Sequence, residues 1–104
     1  MLRLKRHDTA PDLRATLTDN GTPVDLTTAT QIRVIGAHDT DLNVHFSRIV
    51  TGTAEGVVVM PFQAADTAVP GLLNVEIECT WPNGSVQTFP GNGYLSVLIE
   101  DDLG

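Results

Sequence analysis

Cysteine and long apolar runs are scarce in this chain. Its 104 residues include a single cysteine, Cys79, which has no internal partner for a disulfide. No stretch of about 18 or more apolar residues occurs, so we expect no membrane-spanning helix and no membrane partner. The basic start, Met1 to Arg6, leads into polar residues instead of the apolar segment of a signal peptide, so we expect a protein that is not secreted.

Basic residues are missing from the second half of the chain. All six of them lie before Ile49, where six aspartates balance them, and the later residues carry the whole net charge of −7. Affinity for nucleic acid needs clustered cations that neutralise phosphates, and most of this surface repels phosphates instead. The sequence therefore predicts no nucleic-acid partner.

Helical periodicity is also absent, whereas strict alternation of apolar and polar residues is common. In the clearest case, Leu73, Val75, Ile77 and Cys79 alternate with polar residues, which predicts a strand with Cys79 in the core. The predicted strands lie near residues 2–7, 12–18, 31–37, 44–50, 56–62, 72–81, 85–89 and 94–100. Short strands at this spacing are typical of a sandwich or a small barrel.

We therefore expect an all-β fold, an immunoglobulin-like β-sandwich of about 7–8 short antiparallel strands, with a small barrel as the alternative. No linker divides the chain, so we expect a single domain over residues 1–104. The Asn20-Gly21 and Asn83-Gly84 pairs predict two hairpin turns, because both residue types tolerate positive φ.

Reactive constellations are hard to find. His7, His38 and His45 fall in or beside predicted strands with no cysteine nearby, so we interpret them as exposed surface residues and expect no metal site. Asp39–Asn43 resembles the start of a calcium loop, but Val44 and Val50 stand where a glycine and a glutamate are needed. A polar loop is the main interpretation and a weak, partly open cation site the alternative. We expect neither a cofactor nor an enzyme.

The two ends of the chain carry opposite charges. These candidate interface residues are Arg3, Lys5 and Arg6 on the first strand, and Glu100, Asp101 and Asp102 on the last. They are either ordinary solvated surface or a docking surface that steers head-to-tail association of copies, so a homo-oligomer is one expected state.

Three stretches resemble a known family. They are residues 7–13 (HDTAPDL), residues 17–27 (LTDNGTPVDLT) and residues 71–81 (GLLNVEIECTW), followed by Gly84 and Thr88-Phe89-Pro90. Together they resemble the immunoglobulin-like N-terminal domain of the baseplate upper protein of tailed bacteriophages and related domains of phage tail proteins. The resemblance spans about Leu4 to Leu103 and rests on turns and strand starts rather than on reactive residues.

The resemblance implies a structural or adaptor protein of a tailed-phage virion, assembled in the host cytoplasm. Its partners would be other virion structural proteins of the tail, baseplate or neck, which it would contact through a sandwich face or an edge strand. The chain ends where the domain should end, so we expect a free-standing module. Two alternatives stay open: a capsid decoration protein with the same fold, and a carbohydrate or cell-surface binding module.

Overall fold

Short strands account for nearly all regular structure in the computed structural model, which describes residues 1–103. Among these residues, no helix is long and apolar enough to cross a membrane. A 3₁₀ helix spans Ala64–Thr67. The strands are β1 (Leu2–Lys5), β2 (Leu13–Thr16), β3 (Thr18–Asp19), β4 (Thr22–Pro23), β5 (Gln31–His38), β6 (His45–Val50), β7 (Val57–Met60), β8 (Gly71–Thr80), β9 (Val86–Phe89) and β10 (Leu95–Glu100).

Two sheets face each other across the core. The larger has the order β1-β10-β8-β5-β6, and β9 pairs with β8 on the same side as β10. The smaller consists of β2 and β7, and β3 and β4 form a separate hairpin. The predicted all-β sandwich is therefore confirmed.

Alternation along the strands builds the core, because successive side chains point to opposite faces of a sheet. β5 and β8 alternate strictly between buried and half-buried side chains, and β8 is the central strand of the large sheet. Cys79 is fully buried, as predicted. Trp81, just past the end of β8, packs against the core, and its Nε1 donates a hydrogen bond to Gln87 Oε1 at 3.2 Å.

Both predicted hairpin turns are present. Asn20 and Gly21 have φ values of 51° and 80°, the positive pair that a two-residue type I′ turn requires between β3 and β4. Gly84 has a φ of 87° between β8 and β9, and the Asn83 side chain accepts a hydrogen bond from the Ser85 N–H at 3.0 Å. The local chemistry of these turns thus sets the register of two strand pairs.

The structure differs from the expected strand list in three ways. First, the strand expected over 12–18 is interrupted at Leu17, whose N–H donates to Gly56 O while its own carbonyl accepts from the Val24 N–H. Leu17 thereby ends the pairing with β7 and begins the contact with the chain after β4. Second, β4 (Thr22–Pro23) was not among the expected strands. Third, β1 pairs with β10 in parallel, whereas the other strand pairs are antiparallel, as expected.

Candidate docking surfaces

The charged residues predicted at the two ends of the chain lie side by side. Because β1 runs along β10, Arg3 Nη1 lies 3.8 Å from Glu100 Oε1 and Arg6 Nη1 lies 3.7 Å from Asp101 Oδ1. These side chains are all substantially exposed, and such pairs contribute only about 0–1 kcal/mol each. The opposite charges therefore meet within one chain, and their docking role stays a prediction.

The remaining two predicted interface residues, Lys5 and Asp102, form no ion pair within the described part of the chain. The backbone of Lys5, however, is fully engaged. Its N–H donates to Asp8 Oδ2 and its carbonyl accepts from the Asp8 N–H, both at 3.0 Å. Since the Arg6 N–H points at Glu100 O, the backbone groups of Lys5 point away from β10. Asp8 thus occupies the outward-facing backbone groups of Lys5, which leaves Arg3 as the one other outward-facing residue of this four-residue strand.

The opposite edge of the large sheet, strand β6, is open. The His38 N–H donates to Val44 O at 2.9 Å, which fixes the phase of the β5–β6 ladder. The backbone groups of His45, Ser47 and Ile49 therefore point away from β5, and within residues 1–103 no strand pairs with them. The Ile49 side chain is 60% exposed on the outer face of the sheet. This edge offers three residues for pairing with a partner strand.

Beside the open edge, the outer face of the large sheet carries a depression of about 200 Å³. We call it the Glu76 depression; it is lined by Ile35, Ala37, Leu42, Asn74, Glu76 and Tyr94. Ile35 is opposite Ser47 on β6 and opposite Glu76 on β8, so the depression and the edge share one row of the sheet. Glu76 and Tyr94 also line a second depression of about 360 Å³ toward the loop between β9 and β10.

One predicted surface residue has a different environment in the structure. His38 is buried, so its interpretation as an exposed residue is wrong, whereas His7 and His45 are exposed. The His38 side chain lies against Gly71, and the His38 Nε2 has no hydrogen-bond partner among the described residues. The reason is register, because His38 shares the inward face of β5 with Ile32 and Val34.

The Asp39–Asn43 loop uses its acidic groups locally. Asp41 Oδ1 accepts a hydrogen bond from the Asn43 N–H at 3.0 Å, and Asp39 Oδ1 accepts one from Asn74 Nδ2 at 3.3 Å. Across residues 1–103, no group of three or more metal-ligating side chains converges. In geometry this segment is a polar loop that joins β5 to β6 and carries Leu42 on its surface.

Sequence reasoning missed both the open edge and the Glu76 depression. The strands themselves were predicted, but the edge position of β6 follows from the sheet order, which local alternation does not contain. One signal was available, because Ile49 is apolar and alternates out of phase with the buried Phe46. A single exposed apolar residue is common on protein surfaces, so this signal by itself does not identify a contact surface.

In comparison with known proteins, no family model and no curated protein matches this chain.

Proposed function

We propose that this chain is a structural docking module of a tailed-phage virion, an adaptor that binds a neighbouring tail, baseplate or neck protein. The observation that carries the docking part is the open edge of β6, where His45, Ser47 and Ile49 direct backbone donors and acceptors outward. Main-chain pairing with an added strand gives affinity, and pockets for side chains next to that edge give specificity. The virion part is supported by the resemblance of the turns and strand starts to phage baseplate domains.

The two edges of the large sheet support an asymmetric mode of binding. Asp8 occupies the backbone of Lys5 at the β1 edge, and the β1 strand has only four residues. β6 has six residues and no such closing side chain on its backbone in the described region. A partner strand is therefore expected to add at β6, while β1 stays paired with β10 at the other edge.

The test is quantitative mass spectrometry of purified virions, with copies of this chain counted against the major capsid and tail-tube proteins. A few to some tens of copies per virion is the expected result for a tail, baseplate or neck adaptor. Hundreds of copies per virion would contradict the adaptor function and indicate a capsid decoration protein instead. Complete absence from virions would overturn the proposed function.

A further inference from the structure

Glu76 is a half-buried carboxylate in a depression with mostly apolar walls. It lies on β8, opposite Ile35, on the outer face of the large sheet. Across residues 1–103 its carboxylate has neither a basic partner within ion-pair distance nor a side-chain hydrogen bond. A carboxylate that is partly removed from water and unpaired gains from a cation that fits beside it.

The walls around Glu76 suit a long side chain with an apolar stem. Ile35 and Ala37 form one side, and Leu42, 76% exposed, rises from the loop between β5 and β6. Tyr94, 58% exposed, stands just before β10 and borders both depressions that contain Glu76. Two large exposed apolar or aromatic side chains thus flank one unpaired negative charge.

We propose that the Glu76 depression receives an arginine side chain of the docking partner, an inference that rests on the proposed docking function. The guanidinium pairs with the Glu76 carboxylate and stacks on the Tyr94 ring, while its methylene stem lies along Ile35 and Leu42. The chain as a whole carries a net charge of −7, which attracts a cationic partner at long range.

Arginine fits this depression better than the other occupants. A purely apolar side chain would cover Glu76 and leave its charge desolvated without a partner. An anionic group would be repelled by Glu76 and by the net negative charge of the chain. Arginine differs from lysine in having a planar group that can both stack on Tyr94 and present two N–H donors to one carboxylate.

The proposal is tested by titrating the folded chain with N-acetyl-arginine amide and following backbone amide shifts by NMR. N-acetyl-citrulline amide, which has nearly the same shape without the charge, is the control ligand. We expect saturable shifts at Ala37, Leu42 and Tyr94 with the arginine probe and none with the citrulline probe. Equal responses to the two probes, or no saturable response to arginine at about 50 mM, a concentration well above millimolar affinities, would overturn the proposal.

Two matched variants separate the Glu76 depression from general attraction to an acidic protein. Glu76→Gln is expected to weaken arginine binding about fivefold, the upper end for a partly exposed ion pair. Glu78→Gln removes the same charge from the same face of β8, opposite Arg33 and Thr88, and is expected to leave binding within about twofold. Equal losses in the two variants would contradict a specific role for Glu76.

The outcome is distinguishable from that of the proposed function. If the chain binds arginine at Glu76 but is absent from virions, the arginine site is supported and the virion function is contradicted. If the chain is present in virions but does not bind arginine, the docking function is supported and the arginine site is contradicted.

Discussion

Arg48 and Asp66 form a bidentate ion pair that joins β6 to the 3₁₀ helix Ala64–Thr67. Arg48 Nη1 donates to Asp66 Oδ2 at 2.7 Å and Nη2 donates to Oδ1 at 3.0 Å. Asp66 Oδ2 also accepts the Gln63 N–H at 2.8 Å, and the guanidinium lies 5.6 Å from the centre of the Phe46 ring. The hydrogen bond to Asp66 raises the pKa of Arg48, so the Arg48 guanidinium stays positively charged at all ordinary pH values.

Loss of Asp66 is expected to destabilise the fold far more than loss of an exposed partner. Asp66→Ala removes a carboxylate whose side chain is 4% exposed, leaves the Gln63 N–H without an acceptor and leaves Arg48 with only the weak acceptor Met60 Sδ at 3.9 Å. We therefore expect a loss of about 2–3 kcal/mol. Asp101→Ala breaks the exposed pair with Arg6 and should change stability by less than about 0.5 kcal/mol. Urea unfolding of both variants checks this, and equal losses would contradict it.

Gly36 allows β5 to approach Phe46 of the neighbouring strand. A Cβ atom at Gly36 would lie 2.7 Å from Phe46 Cζ, so the ring would have to move. Gly36→Ala is therefore expected to lower the free energy of unfolding by about 1–3 kcal/mol, the usual cost of overpacking. Gly91→Ala is the matched control, because its added Cβ meets nothing within 4 Å. A Gly36→Ala variant as stable as Gly91→Ala would refute the close contact.

Cys79 is expected to be unreactive in the folded chain. It is fully buried on β8, and burial raises the pKa of its thiol, so the reactive thiolate is rare in the native state. We expect no reaction with Ellman's reagent at pH 8 over the time in which the chain in strong urea reacts completely. Rapid labelling of the native chain would contradict the burial of Cys79.

The same thiol predicts the direction of a pH effect on stability. Its pKa is higher in the folded than in the unfolded state, so the unfolded chain loses this proton first as the pH rises. The contribution of Cys79 to stability is complete below about pH 8.5, the ordinary thiol pKa, and declines above it. Cys79→Ala is expected to flatten the alkaline part of a stability curve measured by urea unfolding from pH 7 to 10, and an unchanged slope would contradict the assignment.

The sequence predicted what depends on neighbouring residues and missed what depends on distant ones. Alternation along β8 and the Asn20-Gly21 turn act within a few residues, so both were predictable. The Arg48–Asp66 pair joins residues 18 positions apart, and nothing in the local sequence of Asp66 marks it as buried. The burial of His38 is the exception: it was predicted wrongly, although local alternation indicates it, since the position of His38 along β5 has the same parity as the buried Val34.

The candidate sites illustrate the same limit. The opposite charges at the chain ends were visible in the sequence, but their meeting within one chain follows from the parallel pairing of β1 and β10. Parallel pairing of the first and last strands depends on the whole sheet order. The Glu76 depression likewise combines side chains from three separate parts of the chain, so no single motif could indicate it.

Blocking the open edge of β6 is expected to prevent docking without unfolding the domain. Ser47→Pro removes an N–H that points away from β5 and places a ring where a partner strand would pair, and proline is tolerated at such edge positions. Ser47→Ala is the matched control, because both variants lose the 2.7 Å hydrogen bond from Arg33 Nη1 to Ser47 Oγ and only proline blocks the backbone.

The measurement is the copy number of each variant in virions, together with its free energy of unfolding. We expect Ser47→Pro to lower incorporation at least about tenfold, equivalent to about 1.4 kcal/mol of docking free energy, and Ser47→Ala to leave it within about twofold. The two variants should differ in stability by less than about 1 kcal/mol, because the proline replaces no N–H of the β5–β6 ladder. Normal incorporation of a folded Ser47→Pro chain would place the docking contact away from β6, since a strand cannot pair normally with an edge that carries a proline at its centre.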